Sequence, residues 1–257
     1  MEEEFVKSKI YLYDGSFEGF LTTVFDAWNE KTLLDIRPQQ EHECGLLDDT
    51  VLTVTDPEKF ERVRVWLRKK IGNDSFLKVY RAFLTETEGC EKIIFDYIKL
   101  AAVLGKNVDR HLANAAVDAI DRLERAFCNE SHKMYGFLRF KESASGVLYA
   151  KIGTKYNQLE PLIVFFHDRL PGKKLIIYDE NRKLAAVCDG DTWYITDAFD
   201  SAAFDAEDME EDFELLWKSY LDELSIKERE NRKLQRQMMP LRYRPYMTEF
   251  SGTEKKD

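Results

Sequence analysis

GVLYAKIGTKYNQLEPLIVFFHDRLPGKKLIIYDENRKLAAVCDGDTWYIT, residues 146–196, is where the chain changes its hydrophobic period. Apolar residues upstream recur at helical spacing, whereas here they fall in short blocks separated by turn residues. The blocks are Phe137 to Phe140, Val147 to Ile152, Pro161 to Phe166, Leu175 to Tyr178, Leu184 to Cys188 and Thr192 to Ile195. Gly146, Gly153, Pro171-Gly172, Glu180-Asn181 and Asp189-Gly190 punctuate them. Connections this short suit antiparallel hairpins better than βαβ crossovers, so the spacing predicts an antiparallel meander over 136–200.

Helical patterns flank that block on both sides. Lys9 to Tyr13 alternates like a half-buried strand, and Asp14-Gly15-Ser16 offers a turn and a cap. Phe17, Phe20, Leu21, Val24, Phe25 and Trp28 then follow at helical spacing. Residues 36–56 read as loop plus a short strand from Thr50 to Thr55. Asp56-Pro57 starts a helix whose stripe is Phe60, Val63, Leu67 and Ile71, and Gly72-Asn73 stops it. Further helices are expected at 75–86, 89–104 and 110–130, the last with Leu112, Ala116, Val117, Ile120, Leu123 and Phe127 on one side. Beyond the sheet, 204–224 carries a face of Phe213, Leu216, Trp217, Tyr220, Leu221 and Leu224. Ser225-Ile-Lys-Glu228 has the pattern of a capping box and predicts a separate helix ending before Pro240. The expectation is an α+β fold: helices packed with an antiparallel meander sheet, and a helical C-terminal segment. It reads as a single domain over 1–250 (helical 1–135, sheet 136–200, C-terminal helices 201–250) with a polar tail at 251–257.

Composition bounds the function. A chain of 257 residues that is 44% apolar has ample core material, which excludes disordered and low-complexity classes. Its formal charge of −10 argues against coating nucleic acid with the whole surface, but leaves room for a local basic site. Cys44, Cys90, Cys128 and Cys188 stand far apart, as in a reducing compartment. Met1-Glu2-Glu3-Glu4 has the wrong sign for a secretory leader, and apolar runs such as Leu162 to Phe166 are too short to cross a bilayer. The expectation is a cytoplasmic protein with no membrane partner.

No P-loop, G-x-G-x-x-G, G-x-S-x-G or H-E-x-x-H occurs. His42-Glu-Cys44 offers two metal ligands and nothing nearby completes a set, so neither metal nor cofactor is expected. Charge is unevenly distributed: 204–224 carries a formal −8 and 227–244 a formal +5. The basic segment can bind phosphate, with Gln235, Gln237 and Tyr243 as neutral partners, or it can simply neutralise the acidic one. A second set, Arg62, Arg64, Arg68, Lys69 and Lys70 around Trp66, suits a single-stranded nucleic acid or is the wet side of a core helix. In His132-Lys-Met-Tyr-Gly-Phe-Leu-Arg-Phe140 a helix closes near Gly136 and a strand carries Arg139 outward; His132 can serve as acid, base or phosphate contact, or only complement a helix end. Asp168 with Arg169 and Asp179 with Arg182 place polar groups at strand ends, or form local turn pairs.

KIYLYDGSFEGFL at 9–21, HKMYGFLRF at 132–140 and IKERENRKLQRQMMPLRYRPYMTEF at 226–250 together resemble an uncharacterised bacterial family described as DNA-metabolism or DNA-repair proteins. Its members tend to be encoded beside a DNA-repair radical-SAM protein, and some are fused to a uracil-DNA-glycosylase-like domain. The resemblance implies DNA as the arena, with a radical-SAM protein or a uracil-DNA-glycosylase-like protein as partner, and supplies no reaction. Matched polar positions are Asp14, His132, Arg139, Asp168, Arg169, Tyr178, Asp179, Arg182, Arg229, Asn231, Gln235, Arg236, Arg242, Tyr243 and Glu249. This chain departs from the family at Phe165, where a His is usual, with His167 shifted, and at Lys174-Leu175, where a Trp is usual. Arg232 replaces the family's Pro and is expected to allow a longer uninterrupted helix. The first expectation is therefore a protein that binds DNA or a repair partner through Arg139, Arg169, Arg182, Arg229, Asn231, Gln235, Arg236, Arg242 and Tyr243. Two alternatives stay open: an enzyme on DNA or a modified base, with catalytic His132 and an arginine anion clamp, and a protein-binding subunit of the radical-SAM partner.

Overall fold

The computed structural model describes residues 9–30, 33–41, 49–202 and 212–250. His42, Cys44, the acids Asp205, Glu207, Asp208, Glu210 and Glu211, and the tail 251–257 lie outside the described residues. The chain divides into two units, Met1–Cys128 and Asn129–Asp257.

In the first unit a central strand β1 (Lys9–Tyr13) is flanked by β2 (Leu33–Pro38) and β3 (Asp49–Leu52), both parallel to it. Strand β2 corrects the expectation of loop from residue 36. Ile36 is fully buried while Asp35 and Arg37 pair with each other at 2.6 Å, so charged neighbours disguise a period of two. The helix α1 (Phe17–Asp26) starts as expected, with the Ser16 hydroxyl accepting from the Gly19 amide at 2.9 Å. Asp14 receives the Ser16 amide, the Ser16 hydroxyl and the Thr55 hydroxyl at 2.9, 2.6 and 2.6 Å. Gly19 permits that approach, because a Cβ there would stand 2.2 Å from Asp14 Oδ1.

The helix α2 (Pro57–Ile71) is capped by Asp56, buries Val63, Leu67 and Ile71, and ends at Gly72 with φ of 91°. Next come α3 (Asn73–Phe83), α4 (Cys90–Leu104) and α5 (Ala115–Phe137), whose boundaries shift from those expected. The α5 helix starts late because the Asn114 side chain caps the Ala116 amide at 2.9 Å, and Leu112 lies outside it, exposed. At its other end α5 continues through Phe137, taking Gly136 into its last turn. The core gathers Tyr13, Phe20, Leu21, Leu67, Val79, Ile94, Ile98 and Ile120.

A polar knot joins three helices of this unit. Asp109 receives Lys78 Nζ at 2.8 Å, Ser75 Oγ at 2.6 Å and Tyr97 Oη at 2.8 Å, and Lys78 also reaches Asp121 at 2.5 Å. Burial alone would raise the Asp109 carboxyl, but these hydrogen bonds outweigh it and hold it below its ordinary value. A carboxylate lowered in the folded state stabilises fully above the unfolded value, and that contribution is lost as pH falls through the folded one. Acidification below about pH 4 is therefore expected to lower the melting temperature, and Asp109→Asn to flatten that dependence; a calorimetric pH series checks it.

The second unit holds a five-stranded sheet in the order β4 (Lys141–Glu142), β5 (Leu148–Ile152), β6 (Leu175–Asp179), β7 (Leu184–Cys188) and β8 (Trp193–Thr196). Three pairings are antiparallel, but β5 and β6 are parallel and joined by the helix α6 (Leu159–Arg169). The α+β class holds, while the pure meander is corrected to a mixed sheet. The reason is the run Pro161 to Phe166, which is helix. Leu159, Leu162, Ile163 and Phe166 are buried at helical spacing, and Pro161 lies in the first turn, where its missing donor costs nothing. Arg139 is likewise not on a strand: it lies in the link between α5 and β4.

The sheet packs Ile152, Leu175, Ile177 and Ala186 against α6 and against Met134 and Leu138. Tyr149, Ile176, Tyr178 and Ala185 form a second buried cluster. The C-terminal part has α7 (Asp212–Leu224), a 3-10 turn at Lys227–Arg229, α8 (Arg232–Met238), and 3-10 turns at Leu241–Tyr246 and Thr248–Phe250. The cap of α8 is Asn231, whose side chain accepts from Leu234 N at 3.0 Å, so Ser225 starts no helix. Arg232 occupies the first helical position, which suits proline equally, and it extends no helix. Among the described residues no helix is long and apolar enough to cross a membrane.

Candidate functional site

Ten of the matched polar positions fall in three places in the second unit. The first is the C-terminal edge of the parallel pair β5–β6, where residues 153–158 lead into α6. Its centre is Glu130 on α5, with a side chain only 2% exposed. Glu130 accepts from the backbone amides of Lys155 at 3.0 Å and Tyr156 at 2.8 Å, and from the Tyr243 hydroxyl at 2.5 Å. Arg242 hydrogen-bonds Tyr243 Oη at 2.6 Å, stands 3.5 Å from Glu130, and covers the Tyr243 ring. Burial, then the neighbouring Glu130 carboxylate, pushes the Tyr243 phenol above its ordinary value, so it stays protonated and its O–H donates a hydrogen bond to Glu130.

Arg182 completes this edge. It binds Asp179 at 2.8 Å and the carbonyls of Thr154 at 3.3 Å and Lys155 at 3.0 Å. Asn181 donates to the same Thr154 carbonyl at 3.0 Å. Asp179 is fully buried, and burial raises its carboxyl above the usual range, offset only in part by Arg182. Tyr246 donates to Glu180 at 2.9 Å, and burial, then Glu180, pushes its phenol up to about 12. Gly153 admits that ring, since a Cβ there would lie 2.2 Å from Tyr246 Oη. Asp179, Arg182, Arg242 and Tyr243 are thus brought together, but as a clamp on the loop entering α6 and not as open ligand groups.

The second place is Arg139, held by Glu249 through 2.8 and 3.3 Å contacts and by the Gly136 carbonyl at 2.6 Å, with Trp217 beside its guanidinium. The third is the exposed segment 228–238, containing Arg229, Asn231, Gln235 and Arg236. There Arg229, Arg232, Lys233 and Arg236 make no ion pair among the described residues. In α8, Arg232 and Arg236 share one face at i, i+4, and Leu234 and Met238 share the opposite one. Asn231 is committed as the cap and Gln235 is exposed.

His132 and Arg169 are exposed on α5 and at the end of α6, and no hydrogen bond or ion pair joins them to each other or to Arg139 and Arg182. Phe165 stacks on Tyr135 at 4.1 Å, an apolar use of its position, and Lys174 is exposed. In the first unit the basic set around Trp66 is largely occupied. Arg64 forks onto Glu61 at 2.7 Å, Arg62 and Arg68 lie over Phe25 and Phe76, and Trp66 packs on Trp28. Among the described residues no three His, Cys, Asp or Glu side chains are grouped to hold a metal.

Glu130 is the residue sequence reasoning missed. Its signal was its place: Phe127, Ser131, Met134 and Leu138 mark the buried side of α5, and Glu130 falls on it. A family model, DUF4130, described as a domain of unknown function, matches residues 88–249, from the approach to α4 through the C-terminal 3-10 turns. No curated protein and no solved structure matches the chain.

Proposed function

We propose, given that the chain belongs to the DUF4130 family of domains of unknown function, that it is a DNA-metabolism protein that binds nucleic acid through its exposed basic segment. What supports this reading is that Arg229, Arg232, Lys233 and Arg236 are exposed and carry no described ion pair. Cations free of carboxylates exchange condensed counterions for phosphate contacts at little structural cost. Gln235, on the same helix, adds a neutral amide for sugar or phosphate oxygens. Four side chains give orientation and modest affinity, and sequence reading is left to a partner. The setting of this activity, cytoplasmic DNA repair beside a radical-SAM protein or a uracil-DNA-glycosylase-like protein, rests on the sequence resemblance.

An enzyme built on His132 with an arginine clamp draws no support from this geometry. Arg139 is spent on Glu249 and Arg182 on Asp179, and His132 meets neither.

Fluorescence anisotropy with single-stranded and duplex oligonucleotides tests the proposal. Binding is expected at low salt, with a slope of log affinity against log salt of about −4. Arg232→Ala with Arg236→Ala is expected to weaken binding at least about tenfold and to reduce the slope by about 2. No binding at low salt, or an unchanged double variant, overturns it.

A further inference from the structure

Strand β8 (Trp193–Thr196) stands at one end of the five-stranded sheet, and among the described residues it pairs with β7 alone. The Asp189 amide donates to the Thr192 carbonyl at 3.1 Å, which makes these two a hydrogen-bonded pair of the antiparallel ladder. Such pairs alternate along a ladder. Tyr194 and Thr196 therefore also turn their amides and carbonyls to β7, while those of Trp193 and Ile195 point away from the sheet. An outward row of backbone donors and acceptors is a template for another extended chain. Tyr194 and Ile195, on opposite faces of the strand, are 58% and 39% exposed.

Acids stand at both ends of this edge. Asp191 precedes the strand and Asp197 follows it, both exposed and in no ion pair among the described residues. At ~3.3 Å per residue they lie about 20 Å apart along the strand. These carboxylates decide between occupants. A second copy would add β8 to β8 antiparallel about a two-fold axis. The register that joins Trp193 of each copy to Ile195 of the other sets Asp191 directly opposite Asp197, like charge against like. We infer that β8 is instead a docking edge for an extended segment of a partner protein, with alternating β-branched residues at its centre and lysine or arginine at its ends. Side chains of the added strand lie beside Tyr194 on one face and beside Trp193 and Ile195 on the other, and its cations meet Asp191 and Asp197. Backbone hydrogen bonds supply the affinity and the two carboxylates the selection. None of these residues belongs to the basic segment 228–238, so the inference is independent of the nucleic-acid proposal.

Fluorescence anisotropy of the full chain with a labelled peptide, Lys-Lys-Val-Thr-Val-Thr-Val-Lys-Lys, tests this. Saturable binding is expected, at least about tenfold tighter than to the same peptide with glutamate in place of lysine. Asp191→Lys with Asp197→Lys is expected to reverse that preference. Two further peptides, methylated at the valine amides or at the threonine amides, keep the charge and lose the donors of one edge. The one whose methyl groups meet β8 is expected to bind at least about tenfold more weakly. Ile195→Pro deletes an amide that faces away from β7, and is expected to weaken binding as much with unchanged far-ultraviolet circular dichroism. Should that variant lose sheet, the methylated peptides carry the comparison. No saturable binding, equal binding of the methylated and unmethylated peptides, or a preference unmoved by the charge swap overturns the inference. A wild-type dimer that Ile195→Pro dissociates in sedimentation equilibrium assigns the edge to a second copy and overturns it too.

Discussion

Glu130→Ala is expected to destabilise the second unit by about 3–5 kcal/mol, the usual range for removing one partner of a buried charged network. Three donors lose their acceptor at once: the amides of Lys155 and Tyr156 and the hydroxyl of Tyr243. The Tyr156 amide and the Tyr243 hydroxyl lie where water has little access, so each of these two losses carries the desolvation penalty of an unmade hydrogen bond, while the Lys155 amide is part-buried. Arg242 also loses the anion at 3.5 Å. A drop of about 10 °C or more in melting temperature should result, with a matching fall in the urea midpoint. Glu130→Gln keeps one acceptor and the side-chain volume, and is expected to lose about half as much. Equal stability of wild type and Glu130→Ala would remove the clamp from the account of this fold.

Asp179→Ala is expected to cost about 2–4 kcal/mol, since Arg182 and the Asn181 amide lose their shared carboxylate inside the sheet edge. The informative partner is Asp179→Asn. Burial raises the Asp179 carboxyl, so the folded protein binds its proton more tightly than the unfolded chain does. A raised carboxyl subtracts stability as pH climbs from the ordinary carboxylate range through the folded value. Asparagine holds one acceptor without that charge. It is therefore expected to cost less than alanine and to gain on the wild type as pH rises through that window. Denaturant titrations at a series of pH values read both effects, and a wild type that gains on Asp179→Asn with rising pH contradicts the sign.

Much of the local structure was legible because its causes are local. Ser16 and Asp56 announce α1 and α2 by capping chemistry, and the apolar spacing after them matches the buried faces found. The Pro161 to Phe166 block was not decidable, because an unbroken apolar run fits a buried strand and a buried helix equally well. That single block turned a meander into a sheet with a parallel pair. β2 escaped notice because Ile36, apolar and buried, stands between the charged Asp35 and Arg37. The candidate site shows the same divide. Arg139 and Glu249 were both prominent in the sequence, yet nothing local says that they neutralise each other across 110 residues. The basic segment was legible as charge; that Arg229, Arg232, Lys233 and Arg236 make no ion pair among the described residues required the fold.

The clamp on Glu130 also orders events during synthesis. Its closing partner, Tyr243, lies 113 residues downstream, and Glu249, which anchors Arg139, follows soon after. While the ribosome is still making the sheet, α5 has emerged with its inward carboxylate but without the phenol that binds it. The first unit draws its three strands and most of its helices from residues before 128, and meets no such wait. One half of this chain is able to mature during translation, and the other only once residues 243–249 have cleared the exit tunnel.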